Sequence, residues 1–198
     1  MQVRQVITGE IEENCYIVID EETKKAFLVD PGDEAGKIIA ALESLDVNLE
    51  YILLTHGHFD HLGAVEEIAD KYNVPFYMSK VDEEYQEKLP QLFPKVRKAD
   101  KYLLDGDIIK LGKHDVKVIA TPGHTEGGLS FLIDEYLFTG DTLFRTNVGR
   151  TDFLGGDFNK IIDSIKKLVK LDDNTIVCPG HGPSSTIGYE KERNPYLS

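Results

Sequence analysis

The stretch Thr55-His56-Gly57-His58-Phe59-Asp60-His61 places three imidazoles and a carboxylate within six positions. It directly follows the apolar run Tyr51-Ile52-Leu53-Leu54, which predicts a strand. Because residues two apart in an extended segment point to the same side, the first two histidines can bind one cation together. If a helix then begins, the final aspartate and histidine project from its first turn and can bind a second cation. Imidazole and carboxylate together suit zinc or iron, so the stretch predicts a metal site.

Three other apolar runs end in further candidate ligands. Pro122-Gly123-His124 follows one run, Pro179-Gly180-His181 follows another, and Gly140-Asp141 follows a third. Proline stops a strand by removing a hydrogen-bond donor, and glycine lets the backbone bend, so each ligand is left at a strand end. Strand ends are where α/β proteins commonly build sites on rigid elements.

The candidate ligands are too numerous for one tetrahedral ion and suit two. One ion would take His56, His58 and His124, the other would take Asp60, His61 and His181, and Asp141 would bridge them. Of the six histidines, only His114 lies outside this set, and we interpret it as solvated in a hairpin turn. A lone histidine is more often a structural group, but five at matched positions with two aspartates favour metal binding. Structural zinc sites are usually closed and rich in cysteine, so this cysteine-free set predicts catalysis.

Composition limits the class of protein. The chain has 198 residues, of which 41% are hydrophobic and 29% charged, which is ordinary for a globular protein with a real core. A formal net charge of −13 argues against nucleic acid as a partner, since phosphate binding requires a basic face. No apolar run approaches the roughly 20 residues of a membrane span, so we expect no membrane partner. Cys15 and Cys178 form no disulfide framework, which favours the cytoplasm, and we interpret both as buried hydrophobes.

Apolar periodicity predicts alternating strands and helices. Strands are predicted at 3–8, 15–19, 26–29, 51–54, 74–78, 101–104, 107–111, 116–120, 129–133, 136–138 and 175–178. Helices are predicted from Asp33, from about Leu62, after Ser79 and after Asp157, with loops at 89–100 and 143–157. No linker divides the chain, so we expect one α/β domain over residues 1–198, with two mixed sheets inside and helices outside.

The ligand order resembles that of the metallo-β-lactamase superfamily. The pattern His-x-His-x-Asp-His at 56–61, followed by His124, Asp141 and His181, carries the resemblance, which spans nearly the whole chain. It implies an αββα sandwich, in which two mixed sheets pack face to face, helices cover both outer faces and the metals lie at one edge.

Two further segments, 140–144 and 149–153, resemble the short single-domain glyoxalase-II-like hydrolases. The best-known β-lactamase subclasses have cysteine where Asp141 stands, and flavin-linked diiron proteins have glutamate where His58 stands, so both are disfavoured. Ordinary glyoxalase II has a C-terminal helical extension that supplies much of its glutathione-binding surface. This chain ends at Ser198, soon after His181, so we expect no such extension and leave the thiol carrier open.

The resemblance implies hydrolysis of a small-molecule thioester of the S-2-hydroxyacyl-thiol kind. Two divalent ions, zinc with iron or manganese as alternatives, roughly 3.5–4 Å apart would hold a hydroxide that attacks the carbonyl. Asp60 and Asp141 would be catalytic through this hydroxide. A thiol with a pKa near 8.5 leaves without a strong general acid. Arg145 and Arg150 could bind a substrate carboxylate, although Arg150 could instead pair with Asp152.

Several alternatives stay open. Persulfide dioxygenases share this fold and a similar Gly-Arg-Thr-Asp-Phe stretch, and they would use one iron held by His56, His124 and Asp141. A lactonase or another ester hydrolase is a further possibility. A metal-stabilised binding protein without turnover is the alternative outside the enzymes.

Overall fold

Two six-stranded sheets form the centre of the computed structural model, which describes residues 1–197. The first sheet contains, in spatial order, β1 (Gln2–Thr8), β2 (Glu13–Ile19), β3 (Lys25–Val29), β4 (Asn48–Leu53), β5 (Phe76–Met78) and β6 (Lys101–Tyr102). The second contains β7 (Ile108–Leu111), β8 (His114–Ala120), β9 (Leu129–Ile133), β10 (Tyr136–Gly140), β13 (Ile176–Pro179) and β14 (Ser185–Thr186). A separate hairpin pairs β11 (Leu143–Phe144) with β12 (Asn147–Val148).

Both sheets are mixed, as predicted. In the first sheet, β1 to β3 pair antiparallel and β3 to β6 pair parallel. In the second sheet, β10 and β13 pair parallel and the other neighbours pair antiparallel. Since β8, β9 and β10 alternate in direction, the C-terminal ends of β8, β10 and β13 meet at one edge.

Three apolar layers hold the sandwich together. Between the sheets, Phe27 of β3 packs edge-on against Phe138 of β10, with ring centroids 6.4 Å apart. The helices are α1 (Ala35–Leu45), α2 (Phe59–Leu62), α3 (Val65–Tyr72), α4 (Lys80–Lys88), α5 (Phe158–Leu168) and α6 (Ile187–Arg193). Ile38 of α1 and Ile68 of α3 pack on the outside of the first sheet, and Ile165 of α5 packs on the outside of the second. The αββα sandwich is therefore confirmed.

The structure corrects several predicted elements. The helix expected from Asp33 begins at Ala35, because Glu34 has a left-handed backbone with φ of 49°. The helix expected from about Leu62 is two helices, α2 and α3, which Gly63 and Ala64 separate. The predicted 143–157 loop contains the β11–β12 hairpin, and β14 and α6 were not predicted. These missed strands have two residues each and α6 has seven, which is too short for periodicity to show. No helix within residues 1–197 is long and apolar enough to cross a membrane.

The cap of α5 gives a test of the fold. The Asp157 side chain accepts a hydrogen bond from the backbone amide of Lys160 at 3.0 Å. Asp157→Ala should lower the free energy of unfolding by about 1 kcal/mol, because such caps satisfy an unpaired helix amide. Urea denaturation measures the change. Asp163→Ala, which removes an exposed acid from the middle of the same helix, should stay within about 0.5 kcal/mol of wild type. Equal losses for the two variants would contradict the capping role.

Candidate metal centre

All seven predicted ligands converge at one edge of the sandwich. Five of them follow strands that end at this edge, and two lie in the short helix α2. His56 and His58 follow β4, Asp60 and His61 lie in α2, His124 follows β8, Asp141 follows β10 and His181 follows β13. A backbone hydrogen bond from Leu129 to Thr55, 2.8 Å long, joins the two sheets at this edge. The parallel directions of β8, β10 and β13 explain why ligands more than 50 residues apart meet.

The first ligand group contains His56, His58 and His124. One ring nitrogen of each lies within 4.8 Å of the others, and all three side chains are buried. Nε2 of His124 lies 2.9 Å from Nδ1 of His58. Burial lowers the pKa of all three, that of His58 to about 3. The imidazoles are therefore neutral at pH 7, which is the form that binds a metal ion.

The second group contains Asp60, His61 and His181, whose ligand atoms also lie within 4.8 Å of one another. Oδ2 of Asp60 lies 3.1 Å from Nε2 of His181 and 3.5 Å from Nε2 of His61. Burial opposes ionisation of Asp60, but the hydrogen bond with His181 and the charge of His61 together outweigh it and lower the pKa of the carboxyl. Asp60 is therefore an ionised acceptor at neutral pH.

Asp141 lies between the two groups. Its Oδ1 is 3.4 Å from Nε2 of His61, and its Oδ2 is 3.5 Å from Nε2 of His124. Burial opposes ionisation, but the surrounding imidazoles, His61 first, hold the pKa of this carboxyl well below its usual range. Oδ2 also lies 3.8 Å from Nε2 of His181, so this one carboxylate lies close to members of both groups, as predicted for a bridging ligand.

Unpaired polar atoms show that cations fit this centre. Within residues 1–197, the buried side-chain atoms without a hydrogen-bond partner include Nε2 of His56, Nε2 of His58, Nε2 of His61 and Oδ1 of Asp141. Such atoms are rare in folded proteins because each one destabilises the fold by roughly 1–3 kcal/mol. Their concentration among the predicted ligands, beside ionised carboxylates, is consistent with a site for two metal ions.

The ring nitrogens that face away from the centre are also held. Nδ1 of His124 donates to the Arg150 carbonyl at 2.8 Å, and Nδ1 of His181 donates to the Ile11 carbonyl at 3.2 Å. Nδ1 of His61 lies 3.0 Å from Oδ2 of Asp30. These contacts fix the ring orientations and aim each Nε2 into the centre.

Asp30 was not among the predicted site residues. Its oxygens also accept hydrogen bonds from the amide and hydroxyl of Thr55, at 2.7 and 2.5 Å. Asp30, His56 and His61 form a third group of possible ligands. However, the contacts with Thr55 and Nδ1 of His61 already use both Asp30 oxygens, so its contacts favour an orienting role. Asp30 directly follows β3 and has a left-handed backbone with φ of 48°.

Asp82 is a second residue that the sequence analysis missed. Its fully buried carboxylate accepts hydrogen bonds from the amides of Gly57 and Gly127, at 3.0 and 2.8 Å, and from the Thr125 hydroxyl at 2.8 Å. Burial raises the pKa of Asp82 to about 6, although these hydrogen bonds favour the carboxylate. Gly57 lies between two predicted ligands and Thr125 directly follows a third. Asp82 therefore ties together the two loops that carry the first ligand group.

The two arginines occupy different positions. Arg150 lines a cavity of about 500 Å³ beside the centre, together with Asp141 and His181. Its guanidinium pairs with Asp152, the alternative that the sequence left open. Arg145 is not among the described residues that line this cavity, and its guanidinium carbon lies 4.9 Å from the centroid of the Tyr189 ring.

His114 lies outside the ligand groups, as predicted, but it is not solvated. It begins β8, is half-buried, and its Nδ1 lies 2.9 Å from a carboxylate oxygen of Asp134. Cys15 and Cys178 are both buried and free, and burial raises the pKa of Cys178 to about 12. Both cysteines therefore act as small apolar side chains, as interpreted from the sequence.

Two mixed sheets with a histidine- and aspartate-rich centre at one edge define a metallo-hydrolase. A family model described as the Metallo-beta-lactamase superfamily matches residues 8–181, and the chain belongs to this superfamily. Hydroxyacylglutathione hydrolase GloC of Haemophilus influenzae is 38% identical, over 100% of this chain and 99% of that protein.

Solved structures agree with this assignment. BLEG-1, described as a B3 metallo-beta-lactamase, is 34% identical with a TM-score of 0.92, and each chain covers 100% of the other. ETHE1 from Myxococcus xanthus is 30% identical with a TM-score of 0.86, over 98% of this chain and 84% of that one. TTHA1623, solved in a di-iron-bound form, is 35% identical with a TM-score of 0.84, over 98% of this chain and 100% of that one.

The position of Asp82 leads to a test on metal binding. Asp82→Asn keeps the shape of the side chain but turns an amide donor toward a group that already donates. Affinity for the first cation should therefore fall by about 10- to 100-fold, as is typical for residues that orient metal ligands. Metal analysis after dialysis against graded chelator measures the affinity, and circular dichroism checks the fold. Glu84→Gln, which alters an exposed acid of the same helix, is the matched control. Equal metal affinity in both variants would contradict the role given to Asp82.

Proposed function

We propose that this protein hydrolyses small-molecule thioesters of the S-2-hydroxyacyl-thiol kind at a centre for two divalent cations. The observation that carries the proposal is the placement of Asp141, whose carboxylate lies between two groups of three ligands, 3.4 Å from His61 in one and 3.5 Å from His124 in the other. A single-ion site has no use for the second group. The whole-length similarity to a hydroxyacylglutathione hydrolase supports the choice of a thioester.

Each group of side chains has a distinct role in this proposal. His56, His58 and His124 would hold one cation, Asp60, His61 and His181 would hold the other, and Asp141 would contact both. When bound, two such cations supply a water that ionises near neutral pH and a Lewis acid for the carbonyl oxygen. We propose zinc, with iron or manganese as alternatives, and the di-iron form of TTHA1623 supports keeping iron.

The two aspartates would orient the attacking water. Asp60 and Asp141 both have a lowered pKa, so each stays ionised at neutral pH and accepts a hydrogen bond. The cavity beside Asp141 gives the thioester access, and the side chains of Phe144 and Val148 in its lining limit the water around the reacting carbonyl. The thiol leaves as a thiolate because its pKa is near 8.5, so the residues need not supply a strong acid.

A one-iron persulfide dioxygenase is the second candidate. His56, His124 and Asp141 would hold the iron. The rings of the two histidines already lie close together, with centroids 4.9 Å apart. The similarity to ETHE1 supports testing this reaction. A lactonase or other ester hydrolase and a binding protein without turnover are tested with the same preparation. The similarity to BLEG-1 adds a β-lactam to the panel, although the sequence disfavours one.

Two further predictions concern the setting in which the protein works. The proposed partner is the small-molecule substrate, with no role for nucleic acid or membrane. The cytoplasm is the proposed location, and the free, buried Cys15 and Cys178 support a reducing compartment.

Asp141→Asn tests the proposed function. The amide neutralises the carboxylate that faces both ligand groups, so thioester hydrolysis should fall by more than the 10- to 100-fold typical of changes around metal ligands. Bound metal should fall from two ions toward one per chain. Thiol release from a thioester panel and elemental analysis are the measurements. His114→Ala, which removes the histidine outside the centre, should keep both values.

Other outcomes identify the alternatives. One iron per chain with thiol-dependent oxygen uptake, and no thioester cleavage, would replace the proposal by the dioxygenase. Normal metal content without turnover of any ester, thioester, β-lactam or persulfide would indicate a binding protein.

A further inference from the structure

The cavity beside the candidate metal centre has largely apolar walls. Besides three predicted ligands, its lining includes the side chains of Phe144, Val148, Phe158 and Tyr196. Phe158 is 53% exposed, and its ring packs edge-on against Tyr196 with centroids 6.3 Å apart. Exposed aromatic surface beside a reactive centre is typical of a site that a ligand covers.

The one arginine or lysine among the described lining residues has its charge already paired. Nε and an Nη of Arg150 donate to the two carboxylate oxygens of Asp152, both at 2.7 Å. The guanidinium also lies over the Phe153 ring, 3.6 Å from its centroid. Arginine binds a substrate carboxylate through the same kind of two-donor contact, and in Arg150 these donors are already occupied by Asp152.

The remaining charges near the cavity give it no net positive charge. Of the other charged residues that adjoin a lining residue in sequence, Asp157 is acidic, and Arg145, whose guanidinium carbon lies 4.9 Å from the Tyr189 ring centroid, is basic. The whole chain carries a formal net charge of −13. Bound cations would add local positive charge, but that charge would act at the reacting carbonyl. The carboxylates of Asp60 and Asp141 would partly neutralise it. The part of a substrate beyond the sulfur would instead contact the apolar walls.

We infer that the substrates of this cavity are thioesters whose thiol portion is uncharged, held by apolar contact with Phe158 and Tyr196. The inference rests on the proposed thioester hydrolysis and narrows it. Glutathione carries two carboxylates, so its thioesters would be poor substrates, unlike those that the name of the Haemophilus relative implies. The Arg150–Asp152 pair and the aromatic wall would together set this preference.

A matched pair of substrates tests the preference. The lactoyl thioesters of glutathione and of N-acetylcysteamine share the acyl group and a primary alkyl thiol, but only the first carries carboxylates. With the metal-loaded enzyme, kcat/KM should be at least about 10-fold higher for the N-acetylcysteamine ester. Added salt should raise the rate with the glutathione ester, because it screens repulsion, and should leave the neutral ester unchanged.

Three variants locate the cause. Asp152→Asn releases the Arg150 guanidinium and should raise kcat/KM for the glutathione ester by about 5- to 10-fold, with little effect on the neutral ester. Phe158→Ala should lower kcat/KM for the neutral ester by about 10-fold, mainly through KM. Ile108→Ala, at a 52% exposed residue of β7 outside this cavity, is the control and should change neither.

The outcomes separate the inference from the proposed function. Cleavage of both esters with glutathione preferred would overturn the inference and leave thioester hydrolysis standing. The inference would also be overturned if Phe158→Ala and Ile108→Ala had the same kcat/KM for the neutral ester and Asp152→Asn left the ratio of kcat/KM between the two esters unchanged. Cleavage of neither ester would overturn the proposed function, and the inference with it.

Discussion

The carboxylate of Asp141 has to face two groups of ligands at once, and the surrounding backbone is arranged to permit it. A Cβ atom at Gly180 would lie 2.3 Å from Oδ1 of Asp141, and one at Gly149 would lie 1.8 Å from the Asp141 carbonyl oxygen. Both neighbouring segments therefore need glycine, since any side chain would displace the aspartate. The strands β8, β10 and β13 then bring His124, Asp141 and His181 to the same edge, with the paired histidines after β4 opposite them.

The electrostatics of the centre follow from its burial. Burial lowers the pKa of His56, His58 and His124, whereas nearby carboxylates outweigh burial and raise the pKa of His61 and His181. The imidazoles in turn hold the pKa of Asp141 low, so its carboxylate is ionised and available to a cation. The orienting contacts of Asp30 and Asp82 keep the rings in place. A rigid sandwich with imidazole nitrogens and ionised carboxylates at one edge would hold cations there. Their positive charge would lie where a carbonyl group can enter, which connects the fold to the proposed hydrolysis.

The sequence predicted which histidines and aspartates converge better than it predicted the residues that position them. His56 and His58 could be paired from a local spacing, and the Pro-Gly-His pattern at two strand ends marked His124 and His181. Asp30 and Asp82 gave no such signal, because their partners Thr55 and Gly57 each lie 25 residues away along the chain. Only the packing of α4 and the end of β3 against the histidine loops brings them into contact. The long strands and helices were predicted from their periodicity, whereas β11, β12, β14 and α6 were not, because they are too short to show one.

The proposed hydrolysis requires two cations at one edge of the sandwich. A crystal structure of metal-loaded protein, with anomalous scattering recorded at the absorption edge of the bound metal, locates each ion directly. We expect two peaks, one contacted by His56, His58 and His124 and the other by Asp60, His61 and His181, with Asp141 contacting both. A single peak with Asp60 and His181 turned away from it would contradict a centre for two cations.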